Sequence, residues 1–311
     1  MIRTATDVDE FAAAIRTVGT VVTVTRRGDF VARLTRIDLH SVWMQRGEES
    51  LPRILQADHN PRRYGIAFAS EPAPAFLWNG VVVQHTDIAI VAGSRTYSHR
   101  SSGPQRWGSM SLSIDTMQEI GAAVAGRDPA ALHQALILTP PASAMARLRR
   151  LHAAAAHLAE TTPELIADAD AVRGLDQLLI HAFVSCLNEG QSRHERLAQG
   201  HHGIIIRRFR RQLEENPDRA IYLPELCAAI GVAERTLRAC CQEHLGMSPK
   251  RYLLLRRLHL AHRALRDSTA AGSTVTEIAT RYGFWELGRF AGAYRSLFGE
   301  PPSATLRRAP A

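Results

Sequence analysis

The carboxy-terminal third of the chain is written twice. The segment Leu223-Pro-Glu-Leu-Cys-Ala-Ala-Ile-Gly231-Val232 returns as Val275-Thr-Glu-Ile-Ala-Thr-Arg-Tyr-Gly283-Phe284, with Leu223/Val275, Glu225/Glu277, Leu226/Ile278, Ile230/Tyr282 and Gly231/Gly283 each 52 apart. Beyond the glycines the offset is 53, for Leu237/Phe290, Cys241/Tyr294, Leu245/Phe298, Gly246/Gly299 and Pro249/Pro302, so the second turn carries one added residue. Self-similarity at a fixed offset identifies a duplicated supersecondary unit, and it limits the back of the chain to a fold that can hold the same unit twice.

Each copy has the physics of a helix-turn-helix. A short helix buries Leu226 and Ile230, or Ile278 and Tyr282, and stops at a glycine able to adopt the left-handed conformation of a sharp turn. A second helix follows, with core positions Leu237, Cys241 and Leu245 in one copy and Phe290, Tyr294 and Phe298 in the other, all at i, i+4, i+8. Gly246 and Gly299 end these helices, and Pro249 and Pro302 prevent their resumption. Between the units, Tyr252, Leu255, Leu258, Ala261 and Leu265 form an apolar stripe. A helix over Lys250 to Arg266 would be about 25 Å long, a stiff spacer that suits two second helices entering successive major grooves about 34 Å apart. His259 and His262 lie on this spacer with no third ligand nearby, so a solvated or capping role is expected and no metal.

Charge follows the same division. The net +8 sits in residues 203–311, which hold 18 Arg plus Lys against 10 Asp plus Glu, leaving the front balanced at 20 of each. A basic terminal third suits a polyanion, because each neutralised phosphate releases condensed counterions. A membrane surface fits less well, since the arginines are interleaved with acids and turn residues. With the core faces assigned, Arg235, Arg238 and Gln242 point outward in the first unit, with Glu234 and Thr236 near the helix start. In the second unit Glu286, Leu287, Gly288, Arg289, Gly292 and Arg295 do so. Arg matches the two acceptors of guanine, Gln pairs with adenine and Leu287 can meet a thymine methyl, while any surface arginine can equally be a phosphate clamp or a solvated charge. Glu286 either accepts from a cytosine amino group or caps its helix. Arg207, Arg208, Arg210 and Arg211 precede the first unit and are expected to contact phosphates or face solvent.

Residues 20 to about 113 carry short β-rich runs, VVTVT, DFVARLTRI, SVWMQR, YGIAFAS, FLWNGVVVQ, DIAIVAG and WGSMSLSI, most of them separated by turn residues. They read as an antiparallel sandwich or barrel, with Val31, Leu34, Ile37 and Met110, Leu112, Ile114 suggesting one solvated face. From Asp115 the spacing becomes helical, in Met117, Ile120, Val124, then Leu148, Leu151, Ala155, Leu158, then Leu175, Leu178, Leu179, Ala182, Phe183, Cys186. The polar stretch Asn188 to Gly203 reads as a linker, placed at 191–202 between a front domain at 1–190 and a back domain at 203–311, or alternatively as a surface loop within one domain. The expected class is α+β, a barrel-like, cupin-like antiparallel domain with helices followed by an all-α domain. Cys186, Cys227, Cys240 and Cys241 are too few and too badly spaced for a disulfide framework or a zinc site. They are expected to be reduced, semi-buried thiols. The start, MIRTATDVDEF, lacks the apolar stretch of an export signal and no run of about 18 uncharged apolar residues occurs, so a cytoplasmic protein is expected.

The back domain resembles the AraC/XylS-type bacterial transcription regulators over about 100 residues, Gly203 to Arg308. The strongest element is Ile278-Ala-Thr-Arg-Tyr-Gly-Phe-Trp-Glu-Leu-Gly-Arg-Phe-Ala-Gly-Ala-Tyr-Arg-Ser-Leu-Phe-Gly-Glu-Pro-Pro-Ser303. Its wording is most similar to the branch holding activators of aromatic-acid catabolism and the ethanolamine-utilisation regulator. Carried over, the family's recognition positions fall on Arg235, Arg238 and Ala239, and on Gly288, Arg289 and Gly292. Ala239 and Gly292 depart from the arginine many members carry there. The resemblance implies double-stranded DNA and RNA polymerase as partners, a homodimer, and a front domain that senses a small-molecule inducer, an aromatic acid or an amine. Asp87-Ile-Ala-Ile-Val-Ala-Gly-Ser-Arg-Thr-Tyr97 looks like that domain's late strands. Its pocket candidates are Trp43, Trp78, Arg95, Tyr97, His99 and Trp107, each with an alternative place in the core or at the surface. An arginine at the end of an aromatic slot would select a carboxylate inducer.

An enzyme is not expected. The chain has no Gly-x-Ser-x-Gly elbow, no phosphate-cradling Gly-x-x-x-x-Gly-Lys, no dinucleotide fingerprint and no His-Glu-x-x-His, and its 14 histidines are scattered. No cofactor is expected either. The alternative to an inducer-controlled activator is a ligand-independent DNA-binding regulator whose front domain only dimerises.

Overall fold

A computed structural model of the chain describes residues 1–92, 96–123, 137–192, 201–216, 219–268 and 273–308. It divides into two compact units, Met1–Val22 with Phe30–Glu195, and Thr23–Asp29 with Arg196–Ala311. Of the expected linker, residues 193–200 lie outside the described residues, as do Arg95 and Val124.

The first unit is β-rich, then helical. Its elements are β1 (Ile2–Ala5), α1 (Val8–Ala14), β2 (Val18–Val24), β3 (Ala32–Asp38), β4 (Trp43–Glu49), β5 (Arg53–Asp58), β6 (Arg63–Ala69), β7 (Phe76–Trp78), β8 (Val81–Val83), β9 (Ile88–Ala92), β10 (Thr96–Arg100), β11 (Gln105–Ser113), α2 (Ile114–Ala123), β12 (Ile137–Thr139), α3 (Ala142–Thr161), α4 (Pro163–Ala167), α5 (Ala169–Glu189) and β13 (Gln191–Ser192). They form an eight-stranded sheet, β1-β3-β4-β11-β6-β9-β12-β13, and a five-stranded sheet, β2-β5-β10-β7-β8. The pairings are antiparallel, as in β11 against β4 and β6, and the β7–β8 hairpin turns at Asn79 and Gly80, both at positive φ, as a tight Asn-Gly turn requires.

On β11, Trp107, Ser109 and Ser111 line a cavity that Met110, Ile66 and Phe68 also border, and Met110 and Leu112 join Ile66, Phe68, Leu148, Leu179 and Phe183 in the core under α3 and α5. Two expected apolar positions are solvated instead. Val31 lies outside β3 and is exposed, and Leu178 is exposed because α5 turns Asp176 inward. The Asp176 carboxylate accepts from the backbone N–H of Val42 at 2.9 Å and of Ser41, which satisfies its buried charge.

The second unit is helical, with α6 (His201–Glu214), α7 (Leu223–Ile230), α8 (Glu234–Leu245), α9 (Pro249–Asp267), α10 (Val275–Arg281), α11 (Leu287–Phe298) and α12 (Pro302–Arg307). The four repeat glycines Gly231, Gly246, Gly283 and Gly299 all have positive φ, from 64° to 83°, so the duplicated turns are left-handed at equivalent places. Ser248 and Thr274 cap α9 and α10 through their hydroxyls, the latter in a reciprocal box with Glu277.

Several expectations need correction here. Cys240 and Cys241 are both fully buried with Leu237 and Leu245, and Cys186 is fully buried in the first unit, so these thiols are core residues rather than semi-buried ones. Burial raises the Cys241 and Cys186 thiols to about 12, which keeps them protonated. On α11 Leu297 is buried and Phe298 only half-buried, stacked on His262 at 4.2 Å. His262 is thereby neither solvated nor a cap: its Nδ1 lies 2.6 Å from the Tyr294 hydroxyl, which donates to Thr305 at 2.8 Å. Arg210 is buried rather than free for phosphate, because it follows Phe209 and Ile206 on the apolar face of α6, and it reaches Glu214 at 3.5 Å.

Candidate functional site

Both sheets of the first unit line one cavity of about 180 Å³. At about 10–15 Å³ per water, that is room for a molecule of roughly a dozen non-hydrogen atoms. On the eight-stranded sheet the Trp43 indole lies under two guanidinium groups, Arg16 at 4.0 Å and Arg63 at 3.7 Å from the ring centroid. They differ in their partners. Arg16 is paired with Asp38, its Nη2 donating to Oδ2 at 2.7 Å. Arg63 donates to the Ser111 hydroxyl (2.9 Å) and to the backbone carbonyls of Ser111 (2.6 Å) and Ser41 (2.9 Å), but among the described residues no carboxylate lies within ion-pair distance of it. Burial, with the Arg16 charge behind it, lowers the Arg63 pKa to about 10, so it stays cationic at neutral pH.

The five-stranded sheet supplies an aromatic wall. Trp78 stacks on Tyr97 at 4.6 Å, and Phe76 packs on His99 at 4.4 Å. Burial, then the charge of Arg53, holds His99 well below the usual imidazole range, and it is neutral. Behind them Arg53 and Glu49, both fully buried, form a bidentate pair with bonds of 2.6 and 2.8 Å. Trp107 donates its indole N–H to the same carboxylate at 2.6 Å.

In the second unit α8 and α11 present equivalent polar faces. On α8, Arg235, Arg238, Ala239 and Gln242 are exposed and Thr236 is half-buried. On α11 and the residue before it, Glu286, Leu287, Gly288, Arg289, Gly292 and Arg295 are exposed. Arg238 pairs with Glu234 at 3.1 Å and Arg289 with Glu286 at 2.8 Å, both within one turn and at the surface. Such exposed pairs contribute little and release their arginines readily. Glu286 stands at the N-cap of α11 but makes no side-chain capping bond. Gly288 and Gly292 have open space above them, so a flat surface can approach α11 closely.

This face lies within a recognised sequence family. The family described as a helix-turn-helix domain matches residues 226–308. Over 96 residues the chain is 44% identical to the XylDLEGF operon transcriptional activator of Pseudomonas putida, a stretch that spans 31% of this chain and 30% of that protein. Over 106 residues it is 37% identical to a probable thc operon regulatory protein of Rhodococcus erythropolis, spanning 34% of this chain and 32% of that one. A solved structure, a probable AraC family transcriptional regulator from Rhodopseudomonas palustris CGA009, is 38% identical, covering 34% of this chain and 98% of that one, with a TM-score of 0.31.

The second unit carries a helix-turn-helix domain of the AraC/XylS type. The match rests on the second unit, and the chain spans about a third of the length of the curated relatives it matches. The first unit must therefore be read from its own geometry.

The pocket candidates Trp43, Trp78, Tyr97, His99 and Trp107 all line the cavity. Sequence reading missed the charged groups among them, Arg16, Arg53 and Arg63, because an arginine in a β-rich run looks like a solvated charge. The only available signal was the pair Arg62-Arg63 entering an otherwise apolar strand. Beside the α11 face it also missed Trp285, which is 72% exposed and donates its indole N–H to the Tyr222 hydroxyl at 3.3 Å.

No helix is long and apolar enough to cross a membrane, and no metal-holding cluster of His, Cys, Asp or Glu is found, both among the described residues.

Proposed function

We propose that this chain is a sequence-specific DNA-binding transcription regulator, an activator acting as a homodimer with RNA polymerase, whose first unit holds a small carboxylate inducer. The observation that supports it most is the repeated unit itself. Two left-handed glycine turns each launch a helix whose outward face carries arginine, in the basic part of the chain. Arg235, Thr236, Arg238 and Gln242 would read one major groove, and Glu286, Leu287, Gly288, Arg289 and Arg295 the next, with α9 as the spacer.

The full-length protein should bind duplex DNA with an affinity that falls steeply with salt. In gel-shift titrations Arg238→Ala should weaken a selected site by about 1–3 kcal/mol more than random DNA of equal length. Equal losses on both would make Arg238 a phosphate contact, and salt-insensitive binding would remove the DNA reading altogether.

The inducer reading is supported by Arg63, a buried cation stacked on Trp43 with no carboxylate at ion-pair distance among the described residues. A planar aromatic carboxylate satisfies both features, with its charge on the guanidinium and its ring among the cavity aromatics. Benzoate should raise the melting temperature of the wild-type protein, and Arg63→Gln should weaken that binding by about 10- to 100-fold, the usual contribution of a charge-assisted hydrogen bond. Retention of benzoate affinity in the variant would refute the assignment.

A further inference from the structure

We propose that Trp78 and His99 form a second polar anchor in the cavity, built for a hydroxyl group on the ligand. The proposal takes from the carboxylate reading only the identity of the ligand's other end.

Trp78 and His99 are cross-strand partners on β7 and β10, with ring centroids 5.9 Å apart, and both line the cavity. They are 2% and 6% exposed, yet Trp78 Nε1 and His99 Nε2 find no hydrogen-bond partner. Buried polar nitrogens are almost always satisfied, so two adjacent exceptions in the wall of one cavity call for a missing group. The neighbouring wall makes the contrast sharp. Trp107, the same residue type in the same cavity, gives its N–H to Glu49, and Arg53 is taken up by Glu49 and the His99 carbonyl. Only the Trp78–His99 corner is left unanswered among these groups.

The chemistry of the two atoms narrows the class of ligand. An indole N–H can only donate, so the missing group must accept. A buried imidazole kept neutral by its surroundings has one bare nitrogen and one N–H, so its orphan Nε2 needs either a donor or an acceptor. A hydroxyl does both at once through a single atom, accepting from Trp78 and meeting His99 in either tautomer. An ammonium cannot accept, and a methyl group leaves both nitrogens unpaired. Since Arg63 comes from the eight-stranded sheet and this corner from the five-stranded one, such a ligand would touch both sheets through its polar ends. A hydroxylated aromatic acid therefore fits better than an unsubstituted one.

The test uses the full-length protein, calorimetry and four probes: benzoate, 3-hydroxybenzoate, 4-hydroxybenzoate and 4-methylphenol. At least one hydroxybenzoate should bind the wild type about tenfold more tightly than benzoate, the contribution of a well-made buried hydrogen bond. Trp78→Phe keeps an aromatic ring but removes the donor, and it should bring the hydroxybenzoate-to-benzoate affinity ratio down to about one, whatever it does to the two affinities in common. Wild-type protein that gains nothing from the hydroxyl, or an advantage that survives Trp78→Phe, would overturn the second anchor. The wild-type comparison stands even if the variant folds poorly. The two readings fail separately: benzoate binding that depends on Arg63 with no hydroxyl gain leaves only the carboxylate site, whereas Trp78-dependent binding of 4-methylphenol with no gain from the carboxylate leaves only the hydroxyl site. Absence of Trp78-dependent binding by every probe overturns the proposal.

Discussion

Glu49→Ala should destabilise the first unit by about 3–5 kcal/mol, which is most of the stability of an ordinary domain. Arg53 is fully buried, and two of its three named bonds end on this carboxylate. The Trp107 indole N–H ends there as well. Truncating Glu49 leaves a full cation and an indole donor in the wall with nothing to accept from them. The cost is the desolvation of the orphaned charge more than the loss of an attraction. Glu48→Ala, one residue earlier, removes a carboxylate whose contacts to Arg46 and Arg106 are long and exposed, at 3.7 and 3.8 Å, and should cost less than about 1 kcal/mol. Urea titration of both variants, followed by the fluorescence of the first unit's tryptophans, distinguishes them. Comparable midpoints would mean that the buried pair holds nothing together. Replacing both Glu49 and Arg53 by methionine should recover much of the loss, since an apolar pair of similar volume leaves no charge behind.

The same polar groups explain which strands could be read from the sequence. β4, β6, β9 and β11 announce themselves through Trp43, Met44, Ile66, Phe68, Ile88, Ile90, Met110 and Leu112, all on or beside the helix-covered core. Neither β5 nor β10 reads as a strand. Arg53, Gln56, Ser98 and His99 are all buried in them, and Arg53 and His99 line the cavity, so two strands with buried polar residues carry the composition of surface loops. A ligand cavity demands polar atoms where a core would have valine, and periodicity analysis then sees turn-like noise. Fold legibility was lost at the place where this cavity takes its polar lining.

The helical unit was legible for the opposite reason. Leu226, Ile230, Leu237, Ile278, Phe290 and Tyr294 are all buried at the positions the repeat assigns them, because no cavity interrupts this core. Errors arose where a helix is covered on more than one side. Adjacent residues on a helix are about 100° apart, so Cys240 and Cys241 can both be buried only if the apolar arc of α8 is wide, and two-face reasoning assumes a narrow one. Arg210 escaped for a related reason, since the aliphatic part of an arginine can lie along an apolar face while its head reaches Glu214.

The two turn glycines look interchangeable in sequence, yet their replacement should differ in cost by a factor of about three. Gly231→Ala meets open space, and its penalty is only that of an L-residue held at φ +69°, about 1 kcal/mol. Gly283→Ala carries the same backbone penalty at φ +77°, and its new methyl would also sit 2.7 Å from the Tyr222 hydroxyl, 3.0 Å from Ala220 Cβ and 3.2 Å from Arg257 Nη1. Those neighbours are themselves fixed. Arg257 donates to the Gly283 carbonyl at 3.1 Å and lies over the Phe284 ring at 4.9 Å, and the Tyr222 hydroxyl accepts from Trp285. Relief requires the second turn to move against α9, and overpacking of this kind adds about 2 kcal/mol, for a total of about 3. Because α11 starts four residues after Gly283, the movement shifts its exposed face, and DNA affinity should fall along with stability. Denaturant melts of both variants, with gel shifts at a temperature where both are folded, measure the two effects. Equal costs at the two glycines would mean that the second turn is not clamped as its contacts indicate. Adding Tyr222→Phe to Gly283→Ala removes the nearest atom, so the double variant should be more stable than the sum of the single changes, a coupling that open space at Gly231 cannot produce.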